Sequence, residues 1–341
     1  MSRSTKGADD VAVAAIVDLA EIPLIDFAPF LAGTEAGKRA VADEIAWACR
    51  EIGFFFIKGH GVPEDLRTAV FEQSAAFYHL PMRERAKAQA TKEWYRGWIP
   101  APPSTSLSRS SRLFEQYRIQ PEYTPDDEAP NNHIFYRPNR WPEALPDFAK
   151  VCTDYWQAML TLSQALLRAF ALGLDLPEDR FERYFTKPLC QLSLLHYSSL
   201  PPDAGIEVSN TVSHTDEGPL TILAQDKIGG LEVKRRDGVW IAAPPIPGAY
   251  TINVGDMMMW WSNGRYLSNY HRVKNRAPVE RFSVPFFLNP DRQVMVEPLP
   301  ELLAGGDAPA YPPVQVGDHL ARFYGRLEID PVLLDDEPGG V

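Results

Sequence analysis

Residues 211–226 read TVSHTDEGPLTILAQD. The polar triplet His214-Thr215-Asp216 runs almost directly into Leu220-Thr-Ile-Leu-Ala, a β-prone apolar segment. The same texture continues downstream in Gly229-Gly230-Leu231-Glu232-Val233, in Gly238-Val-Trp-Ile and in Ala249-Tyr-Thr-Ile-Asn-Val. Gly255-Asp256 and the run Met257 to Trp261 follow. Short apolar segments punctuated by Gly, Pro and Asn are the pattern of an antiparallel sandwich or barrel, here spanning about 191–288.

Such a double-sheet roll brings strands remote in sequence to one mouth. His271, in LSNYHRVKNRAPV (267–279), can therefore stand beside the HxD pair, and Arg281-Phe282-Ser283 follows in ERFSVPFFLNP (280–290). Two imidazoles and one carboxylate are the donor set of a facial triad. That set leaves neighbouring metal positions open for a chelating acid and dioxygen, which a closed four-ligand zinc site does not. A lone HxD occurs by chance in surface loops. The chemistry rests on three motifs arriving in order.

Further elements lie upstream: Ile22-Pro-Leu-Ile-Asp26, Cys49-Arg-Glu-Ile-Gly-Phe-Phe-Phe-Ile-Lys-Gly-His-Gly-Val62, Asn139-Arg-Trp-Pro142 and Leu192-Ser-Leu-Leu-His-Tyr197. With the HxD, His271 and Arg-x-Ser motifs, they resemble the isopenicillin N synthase-like branch of the iron(II)/2-oxoglutarate-dependent oxygenases. The resemblance runs from about Ile22 to about Phe323. It implies a mainly β fold with flanking helices around a double-stranded β-helix (jelly-roll) core. It also implies iron(II) held by His214, Asp216 and His271, with 2-oxoglutarate as co-substrate and dioxygen as oxidant. Arg281, Ser283 and Tyr197 would hold the distal carboxylate of 2-oxoglutarate, a task that suits the planar, permanently charged guanidinium. Ser193 and Leu195 stand where the family often carries Arg and Asn, so neither receives a role.

The implied reaction couples decarboxylation of 2-oxoglutarate to hydroxylation, desaturation or cyclisation of a small organic molecule. Two rival readings stay open from the residues: an iron(II) oxidase of the same fold that uses no 2-oxoglutarate, and a non-catalytic roll that binds a small ligand. The family's namesake is such an oxidase and keeps the Arg-x-Ser pair. Fold alone does not decide among them.

In this family the N-terminal half lids the roll's mouth. Tyr95, Arg96 and Trp98 in EWYRGW, and Arg112, Phe114 and Tyr117 in SRLFEQYR, are therefore candidate substrate contacts, and Trp260 and Phe287 are candidate apolar walls. Arg96 or Arg112 would favour a substrate with a carboxylate.

At 341 residues and 45% apolar composition the chain can bury a large core. A net charge of −11 argues against a nucleic-acid partner, because phosphate binding relies on clustered Lys and Arg. Cys49, Cys152 and Cys190 are scattered and odd in number, which favours reduced thiols and a cytoplasmic location. No stretch reads as a membrane span, and the N-terminus does not read as a signal peptide. The protein is expected to be a monomer or weak homo-oligomer.

The domain expectation is a flexible tail over 1–20, a single oxygenase domain over 21–330 and a second tail over 331–341. The domain divides into an α/β part (about 21–185), the jelly-roll core (about 186–290) and a C-terminal helix (about 315–328). Helical spacing is read over Lys38 to Glu51, Pro63 to Tyr78, Asp147 to Leu172 and Glu178 to Phe185, with a final helix over Gly317 to Leu327. Gly53 to Ile57 reads as a buried strand and Leu113 to Gln120 as a further strand. His60, His79, His133 and His319 are read as structural or surface residues. His196, adjacent to Tyr197 on a strand, should point to the opposite face.

Overall fold

The computed structural model describes residues 21–101, 114–122, 133–199, 211–274, 279–303 and 308–325. The expected tails and Arg112 lie outside the described residues.

Among the described residues, eleven strands build two sheets: β1 Leu24–Asp26, β2 Phe54–Lys58, β3 Gly97–Ile99, β4 Glu115–Ile119, β5 Gln191–Tyr197, β6 Leu220–Gln225, β7 Leu231–Lys234, β8 Trp240–Ala242, β9 Tyr250–Val254, β10 His271–Val273 and β11 Arg281–Leu288. The major sheet runs β1-β2-β9-β6-β11-β5-β4-β3, and the minor sheet runs β10-β7-β8. Among the named strands of the described residues, β1–β2 is the one parallel pair. The upstream half thus supplies both edges of the sheet that the roll builds. A small pair, β12 Met295–Val296 with β13 Val314–Gln315, lies beyond it.

Strict alternation divides the major sheet into two environments. On β11, Val284, Phe286 and Leu288 are buried against the helical layer, whereas Arg281, Ser283, Pro285 and Phe287 line a cavity. The helical layer comprises Glu35–Glu51, Glu64–Tyr78 and Phe148–Gly173. Met159, Leu166 and Phe170 are wholly buried on its inner side. Truncating a buried aromatic such as Phe170 to Ala typically costs about 3–5 kcal/mol, so this layer carries much of the stability. Between the sheets, Phe54, Phe56, Leu231, Val233, Ile241 and Val273 form a separate apolar cluster that closes one side of the cavity.

Two expectations are corrected. Met257–Trp261 is not a strand: Asp256–Trp261 is a short helix, with Met257, Met258 and Trp261 buried. A short apolar run does not reveal its period, and here the chain turns at Gly255 instead of extending. Within Glu178–Phe185 only the 3₁₀ turn Glu182–Tyr184 is helical. Phe181, Tyr184 and Phe185 gather around Trp261, a packing demand that overrides helical propensity. The final helix is found at Val316–Tyr324.

Candidate active site

His214 sits just before β6 and pairs backbone to backbone with His271, the first residue of β10. His214 N donates to His271 O at 3.1 Å, and His271 N donates to His214 O at 2.9 Å. This isolated bridge extends the minor sheet and sets the two imidazoles 4.3 Å apart, centroid to centroid. Asp216 follows two residues later on the same side. One donor atom from each of His214, Asp216 and His271 lies within 4.8 Å of the other two.

Hydrogen bonding decides which atoms face inward. His214 Nδ1 is 2.9 Å from Val212 O, and His271 Nδ1 is 3.3 Å from Asn269 O. A carbonyl oxygen can only accept, so both Nδ1 atoms carry the proton and both Nε2 atoms present lone pairs. Asp216 Oδ2 is taken by Thr221 Oγ1 at 2.5 Å and by Asn253 Nδ2 at 2.8 Å. Its Oδ1 is left 3.8 Å from His214 Nε2 and 3.7 Å from His271 Nε2. Three lone-pair donors therefore converge without a proton between them, as a divalent cation requires.

The electrostatics agree with that geometry. Burial alone would raise the Asp216 carboxyl, but His271, His214, Thr221 and Asn253 together hold it below the ordinary value. Burial first, and His214 second, lower His271 to about 4 against the pull of Asp216, so its imidazole is neutral at neutral pH. Phe54 packs its ring against His271 with centroids 5.3 Å apart. The loop itself is held by close backbone approach. A Cβ on Gly255 would lie 2.1 Å from Gly218 O, and Asp256 N donates to Asp216 O at 2.8 Å.

The cavity beside these residues measures about 500 Å³, within the range of small-molecule sites. Arg281 enters it from β11 and is wholly buried. Its Nε donates to Gly229 O, its Nη1 to Ser283 Oγ at 3.1 Å and its Nη2 to Gln225 Oε1 at 3.2 Å, which leaves one N–H on each terminal nitrogen. The guanidinium lies 4.6 Å from the Tyr197 ring, with which it is paired across β5–β11.

The structure gathers His214, Asp216, His271, Arg281, Ser283, Tyr197, Phe114 and Phe287 around one cavity. Other expected substrate contacts stand elsewhere. Arg96 is buried with its guanidinium on the carbonyls of Gln120, Pro121 and Phe135, so it ties loops together. Trp98 donates Nε1 to Glu115 at 2.8 Å, Tyr95 donates its hydroxyl to Tyr324 O, and Tyr117 donates to Arg140 O. Trp260 packs on His319. None of these five lines the cavity. Instead β4 contributes Gln116 and Arg118, and the C-terminal helix contributes Leu320, Phe323 and Tyr324. Alternation along β4 from Phe114 selects Gln116 and Arg118 and excludes Tyr117, so that signal was present.

Among the remaining histidines His60, His79 and His196 behave as read, and the His133 side chain lies outside the described residues. His196 faces away from the cavity, between Glu115 and Glu280. His60 binds Gly248 O and Val62 N, and His79 pairs with Glu280. His319 differs in being half-buried on the C-terminal helix, where it pairs with Glu217 of the HxD loop.

Comparison with known proteins agrees with this architecture. Residues 22–144 match the family described as non-haem dioxygenase in morphine synthesis N-terminal, and residues 189–290 match the 2OG-Fe(II) oxygenase superfamily. The 2-oxoglutarate-Fe(II) type oxidoreductase hxnY of Emericella nidulans is 32% identical over 318 residues, covering 90% of this chain and 91% of its own. A full-length Neurospora crassa protein in complex with alpha-KG superposes with a TM-score of 0.80 at 28% identity, over 89% of this chain and 95% of its own. JOX2 in complex with 2OG, Fe and JA superposes with a TM-score of 0.74 at 28% identity, over 89% and 85%.

Proposed function

The chain belongs to the 2OG-Fe(II) oxygenase superfamily, and from that membership we propose that His214, Asp216 and His271 are its iron(II) ligands and that Arg281, Ser283 and Tyr197 seat the distal carboxylate of 2-oxoglutarate. It is a 2-oxoglutarate- and iron(II)-dependent dioxygenase that oxidises small molecules. With hydroxylation as the outcome, 2-oxoglutarate, dioxygen and a substrate C–H bond give succinate, carbon dioxide and an alcohol. One oxygen atom enters succinate and the other enters the alcohol.

Iron(II), when bound, would supply open positions and a redox relay for dioxygen, whose four electrons come two from 2-oxoglutarate and two from the substrate C–H bond, while the protein supplies binding and orientation. One backbone carbonyl fixes each imidazole's tautomer, and Thr221 with Asn253 fixes the carboxylate. Arg281 lines the cavity and is held by Gly229, Ser283 and Gln225, and its two remaining N–H groups would serve the carboxylate. Ser283 is placed to add its hydroxyl. Apolar walls from Leu223, Pro285 and Phe287 limit water around the reacting carbon.

The observation that carries the assignment is the convergence of two Nε2 lone pairs and one Oδ1, with every outward atom already hydrogen-bonded. The test is release of succinate by the purified full chain. It should require both iron(II) and 2-oxoglutarate and should cease in Asp216→Ala. Substrate turnover that proceeds unchanged without 2-oxoglutarate would instead identify an oxidase of the same fold.

No helix among the described residues is long and apolar enough to cross a membrane. Three buried free thiols and a net charge of −11 support a cytoplasmic enzyme without a nucleic-acid partner, acting as a monomer or weak homo-oligomer. The proposed organisation is one oxygenase domain over 21–330, in which both edges of the major sheet come from the upstream half.

A further inference from the structure

Two carboxamides line the same cavity on the far side of β11 from the proposed co-substrate anchor. Gln116 on β4 and Gln191 on β5 are only 6% and 5% exposed. Arg281 turns its head toward β6, onto Gln225 and Gly229, and Asp216 is held from β6 and β9 by Thr221 and Asn253. The β4 and β5 wall is therefore left for the primary substrate. A buried polar side chain on that wall needs a partner, because leaving it unpaired costs its desolvation.

Register brings the two amides to one place. Arg118 pairs with Ser193 across β4 and β5, while Gln116 pairs with Leu195. Gln116 and Gln191 thus stand on opposite sides of the Arg118–Ser193 pair, each one alternation away along its own strand. Both meet it: Arg118 Nε donates to Gln116 Oε1 at 3.3 Å, and Gln191 Nε2 donates to Ser193 Oγ at 2.9 Å. A guanidinium only donates, so the Gln116 oxygen is the atom on Arg118 and its Nε2 is left over. That Nε2 has no acceptor among the described residues and offers hydrogen-bond donors. Gln191 is the complement. Its Nε2 is engaged by Ser193, whereas its Oε1 receives only Gln120 Nε2 at 3.5 Å, a long contact that leaves it able to accept.

The path to the triad follows from register too. Phe287 on β11 pairs with Gln191 on one side and Thr221 on the other, and Thr221 Oγ1 holds Asp216. Gln191 and Thr221 are two strands apart, roughly 10 Å. Asn289, just beyond β11, also lines this path, with its Nδ2 on Leu189 O.

We propose that Gln116 and Gln191 read an amide group on the primary substrate. Gln116 Nε2 donates to the amide carbonyl, and Gln191 Oε1 accepts from the amide N–H. The substrate class is a small carboxamide or lactam whose remaining body lies along Phe287 toward the triad. A carboxylate or an ester carries the acceptor without the donor and would leave Gln191 Oε1 unpaired. This rests on the functional reading above and names its substrate class.

The experiment is anaerobic calorimetry on the full chain loaded with iron(II) and 2-oxoglutarate. The titrants are benzamide, phenylacetamide and cinnamamide, each matched with its methyl ester and its carboxylate. At least one amide should bind about ten-fold more tightly than both counterparts, the scale of one buried hydrogen bond left unmade. Gln191→Met should bring that amide down to the level of its ester and leave the ester unchanged. Gln116→Met should weaken amide and ester together, since both use the carbonyl. The wild-type order of amide, ester and acid needs no variant to fold. The inference is overturned if no amide outbinds both counterparts, or if the preference over the ester survives in Gln191→Met. A chain that takes up no 2-oxoglutarate during loading fails the earlier reading instead, a result separate from that order.

Discussion

Asn253, near the end of β9, donates its side-chain amide to Asp216 Oδ2 at 2.8 Å, from the strand next to the one carrying Thr221. The proposed iron-binding carboxylate is therefore oriented by the major sheet, whereas both imidazoles belong to the minor sheet and its bridge. The centre forms only when the two sheets face one another. Replacing Asn253 with Leu should leave the fold in place, yet weaken iron(II) binding roughly 10- to 100-fold, the usual effect of losing a partner that orients a ligand. Anaerobic iron(II) titration checks this, and unchanged affinity would show that Thr221 alone suffices.

The triad residues themselves should behave more severely. Ala at His214, Asp216 or His271 should abolish iron(II) binding while far-UV circular dichroism stays near wild type, because all three line the cavity and none belongs to the hydrophobic core. Asp216→Glu should also be poor. One extra methylene displaces the oxygen by more than the roughly half an ångström that such a site tolerates. Full turnover in any of the Ala variants would refute the ligand assignment.

Much of this was legible in the sequence for physical reasons. Strand alternation and Gly-Pro punctuation mark the roll, and polar residues inside apolar strands, such as Arg281 and Ser283, stand out because burying them needs a purpose. What stayed hidden depends on tertiary register. Tyr95, Arg96 and Trp98 looked like lining residues, but β3 is the edge of the sheet and their polar atoms are consumed by backbone carbonyls, Glu115 and Tyr324. Arg118 was passed over in favour of Tyr117, its neighbour on the opposite face. Tyr324 is remote in sequence and enters only because the last helix folds back over the cavity.

Backbone crowding gives a separate test at Gly255. An added Cβ would meet Gly218 O at 2.1 Å and Asp216 O at 2.8 Å. Gly255→Ala should lower the melting temperature, at a cost of about 1–3 kcal/mol for a forced fit. It should also reduce iron(II) affinity, since the clash lies against the Asp216 backbone. A variant with wild-type stability and affinity would mean that the loop yields freely.

The buried imidazole predicts how the metal-free protein responds to acid. His271 is lowered from 6.5 to about 4, first by burial and then by His214. Between those values the unfolded chain binds the extra proton and the folded chain does not, so stability rises with pH. The metal-free protein should lose stability as pH falls through that window, and His271→Gln should flatten the trend. Melting temperatures measured across the window in chelator decide it, and a wild-type profile no steeper than the variant's would contradict the buried neutral state.

The most direct measurement of the central claim is anaerobic absorbance on mixing the protein with iron(II) and 2-oxoglutarate, separately and together, for wild type and Arg281→Ala. A visible charge-transfer band should appear only when both are present. In Arg281→Ala it should require about 30-fold more 2-oxoglutarate, since losing a buried charge partner costs on the order of 2–5 kcal/mol. Iron affinity should be little changed, because Arg281 is not among the proposed ligands. A band that forms without 2-oxoglutarate, never forms, or forms in Arg281→Ala at the wild-type concentration would contradict the assignment.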